Sequence, residues 1–355
     1  MPSDRLRTLA IFLATIVATL SGCGSAAGSR SISSVCRWFA APSGSGRARG
    51  TATAPFRSIQ RLVGALRPGQ TGCLESGTYD AFVRFPRGGR KGAPITVRSA
   101  PGASATIVGR MYIPKGSNHV RVTDLNLDGR NALNLPSPTV DSYDDQFIND
   151  NVTNEHTAIC FELGNDDGYG QARDTLIEHD RIHSCGVLPA TNHQHGIYVA
   201  NSFGARIIDN AIYDNADRGI QLYWNAQRTT IAGNVIYHNG EGIIISGDGD
   251  SASSDNLIIG NVITNSTVRS DIESYWPGPD LKGSGNLVIG NCLHGGRPTI
   301  DLSVGGFVAH DNLNLNPRYA DAAAGDFSLV RGSPCAPVLA GAVASAESYW
   351  RLRGR

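Results

Sequence analysis

The feature that most constrains this chain is a pattern it repeats at intervals too long for a turn and too short for a domain. The segments Ile148-Asn149-Asp150-Asn151-Val152, Ile207-Ile208-Asp209-Asn210-Ala211-Ile212, Ile231-Ala232-Gly233-Asn234-Val235-Ile236, Leu257-Ile258-Ile259-Gly260-Asn261-Val262-Ile263 and Leu287-Val288-Ile289-Gly290-Asn291 share one design. Each is a β-branched or Leu run, then Gly or Asp, then Asn, then another apolar pair. The asparagines from Asn210 onward are 24, 27 and 30 residues apart, and Asp180 lies one further step of 30 upstream. Such a period indicates a solenoid. Within each unit the apolar residues alternate over a few positions bounded by Gly, Asn and Asp, as short strands do, with no ten-residue stretch of helical periodicity in the units. Leucine-rich, ankyrin and tetratricopeptide repeats are thereby excluded. Units of this kind, stacked on one another, form parallel sheets whose inward residues make one continuous apolar core. The repeated Asn is expected at a bend between two strands, where Asn tolerates left-handed backbone and can hydrogen-bond to its copy in the next turn. Its role is structural rather than catalytic.

Composition agrees. Charged residues are only 17% where about a quarter is usual, while 42 glycines and two methionines signal frequent turns and few bulky core fillers. A helical bundle is disfavoured. Lys plus Arg equals Asp plus Glu at 31 each, without a basic run, so the electrostatic footprint of a nucleic-acid binder is missing. The longest apolar stretch is too short to span a membrane.

At this point the sequence resembles the right-handed parallel β-helix family, the fold of pectate lyases, polygalacturonases and many surface proteins. The resemblance covers roughly residues 50 to 335 and implies an all-β solenoid. It extends to the ends. Gly50-Thr51, Pro55-Phe56-Arg57-Ser58-Ile59-Gln60, Leu66-Arg67-Pro68-Gly69-Gln70-Thr71 and Gly77-Thr78-Tyr79 are similar to the opening of many such chains. There Phe56, Ile59, Leu62, Val63 and Leu66 recur at helical spacing, so a short amphipathic helix can cover the open end of the core and prevent edge-to-edge aggregation. Asn316-Pro317, Asp326-Phe327-Ser328-Leu329 and Gly332-Ser333-Pro334 resemble the family's terminal turn.

Arg5 and Arg7 precede an apolar run from Leu9 to Leu20, which matches a secretory signal rather than a spanning helix. The run ends Leu20-Ser21-Gly22-Cys23, which resembles the lipobox of bacterial lipoproteins, in which the cysteine is lipidated and becomes the mature N-terminus. Two or more acyl chains on Cys23 give a stable membrane anchor where one would not. The expected organisation is a signal peptide over 1–22, a flexible Gly/Ser/Ala tether over 23–34, the β-helix with end caps over 35–335 and a tail over 336–355, either a capping helix or disordered. The expected location is the cell envelope as a lipoprotein, otherwise secreted. Without Cys23, six cysteines remain, an even number suited to an oxidising compartment. Sequence order suggests Cys36 with Cys73, Cys160 with Cys185 and Cys292 with Cys335; the alternative is buried free thiols.

A second strand follows the bends, and its copies align from His195-Gly196-Ile197-Tyr198-Val199 through Arg218-Gly219-Ile220-Gln221-Leu222-Tyr223, Glu241-Gly242-Ile243-Ile244-Ile245-Ser246 and Ser270-Asp271-Ile272-Glu273-Ser274-Tyr275 to Pro298-Thr299-Ile300-Asp301-Leu302-Ser303. Alternation sends Ile197, Val199, Ile220, Leu222, Ile243, Ile245, Ile272, Ile300 and Leu302 inward. One outward row then runs Tyr198, Gln221, Ile244, Glu273, Asp301. The next runs Tyr223, Ser246, Tyr275, Ser303, with Trp224 and Trp276 just beyond. Rings beside carboxylates and amides suit sugars, so a polysaccharide partner is expected, with Gln221, Tyr223, Trp224 and Tyr275 binding it. The long polar insertions 164–174 and 247–255 could wall a groove.

Three chemistries fit the row. Glu273 and Asp301 could be the two carboxylates of a glycoside hydrolase. The same pair could hold a calcium ion that positions a uronate while His195, Tyr198 or Arg218 removes a proton, as a polysaccharide lyase requires. Thirdly, the row binds glycan without catalysis, as an adhesin or envelope scaffold would. His193 and His195, at i and i+2, lack an evident third zinc ligand. Asp248 and Asp250 read as turn residues rather than a calcium loop. No cofactor is required by any motif. The polygalacturonase, pectate lyase and alginate epimerase signatures are all missing, so no catalytic residue transfers from those enzymes.

Overall fold

The computed structural model describes residues 35–354 apart from 167; the expected signal peptide, Cys23 and the expected tether lie outside them. The chain winds as a right-handed parallel β-solenoid with three sheets. Sheet I runs from Trp38–Ser45 and Thr71–Leu74 through Arg206–Ile208, Thr230–Ala232 and Leu257–Ile259 to Val308–His310. Sheet III follows it in each turn, with Ala211–Tyr213, Val235–Tyr237 and Val262–Thr264 as typical strands. Sheet II closes the turn, with Val83–Arg84, Met111–Ile113, Thr139–Val140, Phe161–Leu163, Ile197–Phe203, Arg218–Gln227, Glu241–Asp248 and Ile272–Tyr275 in order along the axis.

Each strand is too short to hold itself in place and is fixed by stacking. Ile207, Ile231 and Ile258 pair in register on sheet I, and Ile212, Ile236 and Ile263 on sheet III. All are buried in the single core that runs the length of the solenoid. Burying one such side chain contributes about 1.5–3 kcal/mol.

The bend between sheets I and III is made by the repeated asparagines, with a division of labour the sequence reading merged into one residue. The left-handed conformation falls on the preceding position: Asp209 at φ 55°, Gly233 at 70°, Gly260 at 66° and Gly290 at 64°. The following Asn is free to turn inward and ladder. Asn234 Oδ1 accepts from the Asn210 backbone N–H and from its Nδ2, both at 2.9 Å, while Asn234 Nδ2 donates to Ile207 O and to Asn261 Oδ1. The ladder continues through Asn261, Asn291 and Asn312. An amide can donate and accept at once, so buried polar groups are satisfied rung by rung.

Caps and flanks complete the body. The helix Ile59–Ala65, begun by Ser58, whose hydroxyl accepts from the Arg61 N–H, buries Ile59, Leu62 and Val63 over the first turn. At the far end Trp276 is folded into the core and donates to Gly305 O, instead of standing outward beyond Tyr275. The helix Ala342–Leu352 lies along sheet I, where Trp350 Nε1 donates to Thr230 Oγ1 at 2.7 Å. Gly260 makes its approach feasible, since a Cβ there would lie 2.4 Å from that of Ala342. The hairpin of Tyr319–Asp321 and Asp326–Leu329 covers sheet III with Tyr319 and Phe327 against Tyr237 and Tyr213. Disulfides join Cys36 to Cys73, Cys160 to Cys185 and Cys292 to Cys335, which suits an extracellular or periplasmic protein. Among the described residues no helix is long and apolar enough to cross a membrane.

Candidate functional site

Sheet II keeps an open face. Its strands pair so that Tyr198, Gln221, Ile244 and Glu273 form one outward row, and a parallel bridge joins Ile272 to Ile300. Ile197, Val199, Ile220, Leu222, Ile243, Ile245 and Ile272 fill the core beneath. The alternation fails in the last turn. No strand forms at 298–303, and Leu302, expected inward, is 53% exposed.

The outward side chains enclose a groove of about 390 Å³ lined by His193, His195, Tyr198, Arg218, Gln221, Tyr223, Ile244, Ser246, Arg269 and Tyr275, with Asn192 at its rim. The structure therefore brings together His195, Tyr198, Arg218, Gln221, Tyr223 and Tyr275. The rings of Tyr198 and Tyr223 stack at 6.2 Å between centroids, and Tyr275, 58% exposed, extends the shelf. Trp224 and Asp301, both half-buried, and Glu273, which is buried, lie outside this lining.

The electrostatics assign different capacities to these groups. Arg218 is buried and engaged: its Nε donates to Glu241 Oε2 at 2.9 Å, Nη1 to Asn192 O and Gln221 Oε1, and Nη2 to Asn192 Oδ1. A guanidinium is permanently charged, so Arg218 supplies charge and architecture rather than a base. Burial pushes the Glu241 carboxyl up to about 8 against the pull of Arg218. His195 lies on the groove floor at 2% exposure with Nδ1 buried and without a partner. Burial, then the charges of Arg218 and His193, hold it well below the usual imidazole range. Burial keeps Tyr198 protonated far above neutrality. Tyr223 is pushed up to about 12 by burial and by donating its hydroxyl to Asp248 Oδ2 at 2.6 Å.

Asp217 shapes the wall. Its carboxylate accepts the backbone N–H groups of Asn192, His193 and Gln194 at 2.6–2.8 Å, pinning the loop that carries the polar rim. Arg269, Glu241 and Asp217 were not singled out by sequence. The first two sit one helical turn of the solenoid from Arg218 or more, and only register connects them. The Gly-Asp loop at 247–252 is a hairpin turn in which Asp248 also accepts from Gly249 N–H.

The carboxylates Glu273 and Asp301 turn to separate partners. Glu273 Oε1 accepts from Arg269 Nη1 at 3.2 Å, whereas half-buried Asp301 accepts from Ser303 N–H, which lowers its affinity for a proton. Among the described residues no three His, Cys, Asp or Glu side chains are grouped to hold a metal ion. Calcium needs six to eight oxygens, and a groove edged by Arg218 and Arg269 does not fit it.

Residues 140–313 match the family model described as the right handed beta helix region. Among solved structures the chain is similar to pectate lyase Pel9A, at 16% identity over 84% of this chain and 90% of that one, with a TM-score of 0.63. It is also similar to an alginate lyase from Paenibacillus sp. str. FPU-7, at 16% identity over 72% and 96%, with a TM-score of 0.51. At these identities the likeness concerns the fold. A search of curated proteins returns no match.

Proposed function

We propose that this chain, whose solenoid belongs to the right-handed β-helix family, holds an anionic polysaccharide along the open face of sheet II and cleaves it by elimination. The observation that carries the reading is the groove itself, a shelf of Tyr198, Tyr223 and Tyr275 edged by Arg218 and Arg269. Tyrosine rings stack on the apolar faces of sugars, and the guanidinium groups attract a uronate carboxylate. Neutralising that carboxylate acidifies the neighbouring C–H, the step on which elimination depends. Tyr198, kept protonated by burial, is suited to protonate the leaving oxygen. Two structurally similar proteins are a pectate lyase and an alginate lyase, and both substrates named there are uronate polymers. The hydrolase reading is weaker, because Glu273 is tied to Arg269 and Asp301 stands outside the groove.

A second reading has its own support. Glu241, Glu273, Asp248 and Asp217 are each engaged by an arginine, a tyrosine or backbone N–H groups, as a non-catalytic glycan-binding or scaffold protein would allow. Lipidation at Cys23, with attachment to a cell-envelope membrane, belongs to both readings and rests on the sequence alone.

The experiment is to offer polygalacturonate, alginate and a neutral β-glucan to the purified protein, reading ultraviolet absorbance of unsaturated ends, reducing ends and binding together. Elimination predicts unsaturated ends from a uronate polymer. Binding should fall at least tenfold in Tyr223→Ala and in Arg269→Ala. Reducing ends without absorbance would assign hydrolysis, binding alone would assign the scaffold reading, and silence in all three would remove the carbohydrate function.

A further inference from the structure

Elimination requires a group that takes a proton, and among the residues lining the groove only the exposed His193 is left free to compete for that role. Arg218 is a permanent cation with its N–H groups committed. His195 is a weak base whose unpartnered nitrogen is sealed from solvent. The nearby carboxylates are occupied: Glu241 by Arg218, Glu273 by Arg269, Asp248 by Tyr223, Asp217 by three backbone N–H groups.

One carboxylate on the same row differs. The strand Phe161–Leu163 stacks directly upstream of Ile197–Phe203, and Glu162 is the register partner of Tyr198 on the outward face. Neighbouring strands lie about 4.8 Å apart, so Glu162 stands beside the ring that begins the tyrosine shelf. Its carboxylate makes no ion pair among the described residues, and the one hydrogen bond it accepts among them is a long contact of 3.4 Å from Asn165 Nδ2. A half-buried carboxyl without an ion pair is costly to keep, and the fold keeps this one next to Tyr198, which does line the groove.

We propose that Glu162 is the base of the groove, acting on the bound chain from the same side as its neighbour Tyr198. This rests on the elimination reading above. The Glu162 carboxylate takes the proton from C5 of the bound uronate. The C–H electron pair becomes the C4–C5 double bond, the C4–O bond breaks, and the departing oxygen takes the Tyr198 hydroxyl proton. The products are one saturated and one unsaturated chain end, and no water is consumed. Transfer of the proton from the Glu162 carboxyl to the Tyr198 phenolate restores the site, and the two groups already sense each other electrostatically.

The surroundings tune the group for this work. Burial raises the Glu162 carboxyl, the buried Asp141 raises it further, and Arg110 opposes both, leaving it at about 7. Asp141 is itself held by the Tyr112 hydroxyl at 2.8 Å. A base poised near neutrality combines adequate strength with the ionised form required.

The test compares wild type, Glu162→Gln, Glu162→Asp and His193→Ala on polygalacturonate and alginate, with a melt for each variant to confirm folding. The proposal predicts that Glu162→Gln binds the polymer as wild type does and cleaves it at least 100-fold more slowly. Wild-type kcat/KM should rise with pH through about 7, and Glu162→Asp should retain part of the activity with that limb displaced. Cleavage by Glu162→Gln within threefold of wild type overturns the assignment and leaves the groove reading standing. Loss of the limb in His193→Ala with its retention in Glu162→Gln transfers the role to His193 and overturns it equally. Wild type that binds without cleaving removes the base but not the binding groove, and wild type that does neither removes both.

Discussion

The bend between sheets I and III is built in two materials, and the contrast is instructive. From Asn210 to Asn312 the ladder is amide on amide, each side chain donating and accepting. Upstream the same positions are Asp180 and Asp150. Their Oδ1 atoms do what the asparagines do, accepting the Asp150 and Leu125 backbone N–H groups at 2.7 and 2.8 Å. Their Oδ2 atoms, which by the same geometry occupy the place of the amide nitrogen, have no partner. Only a protonated carboxyl can donate from there. Burial and then the mutual repulsion of the two groups raise Asp150 well above the carboxylate range, and burial raises Asp180 likewise; Asp124 and Glu178 add to these shifts. The amide half is indifferent to pH, and the acid half is not.

The largest effect should come from breaking the amide half. Asn234→Ala strips the acceptor from Asn210 and the donor from Ile207 O and Asn261. A loss of about 3–5 kcal/mol is expected by chemical denaturation, since several buried groups go unsatisfied together. Converting amide to acid, Asn210→Asp, should cost about 2–4 kcal/mol at pH 7 and less at pH 4, because the new carboxyl must stay neutral or lie buried as an anion. Equal losses at both pH values would show that the ladder does not discriminate between the two groups.

The reverse exchange should stabilise. Asp150→Asn with Asp180→Asn completes the ladder and should add about 1 kcal/mol per restored hydrogen bond at pH 7. The sign follows from linkage. With folded values raised above the unfolded value of about 3.9, the folded state binds more protons, so stability is full below about pH 4 and declines as pH rises toward the folded values. Melts from pH 4 to 8 should show this decline flatten in the double variant. Glu162 and Asp145, pushed up to about 7 and 8 mainly by burial, contribute a residual slope of the same sign. The smallest change is expected outside the ladder: Tyr275→Ala, at an exposed position, should shift stability by less than about 0.5 kcal/mol.

What the sequence disclosed, and what it hid, follows from the same geometry. The asparagine spacing identified the solenoid and its bends because every rung needs the same amide in the same place. The row Tyr198, Gln221, Ile244, Glu273 was legible because its strands are long and uniformly alternating. Glu162 was not, because Phe161–Leu163 is three residues long and its neighbour Thr139–Val140 only two, so alternation has no length in which to declare itself. At the other end alternation was extended too far. Leu302 and Trp276 lie where the solenoid stops, and closing the core mattered more there than continuing the period. Arg269 and Glu241 join the site through register and side-chain reach, which one-dimensional spacing does not encode.

The segment after residue 315 settles which side of the rod faces the outside world. With one greasy flank shaded by the Ala342–Leu352 helix and another by the Tyr319–Leu329 hairpin, a long fibre-like molecule is left with a front and two backs. A chain shortened before the hairpin would bare both backs at once, and such rods would be expected to clump side by side before any question of catalysis arose.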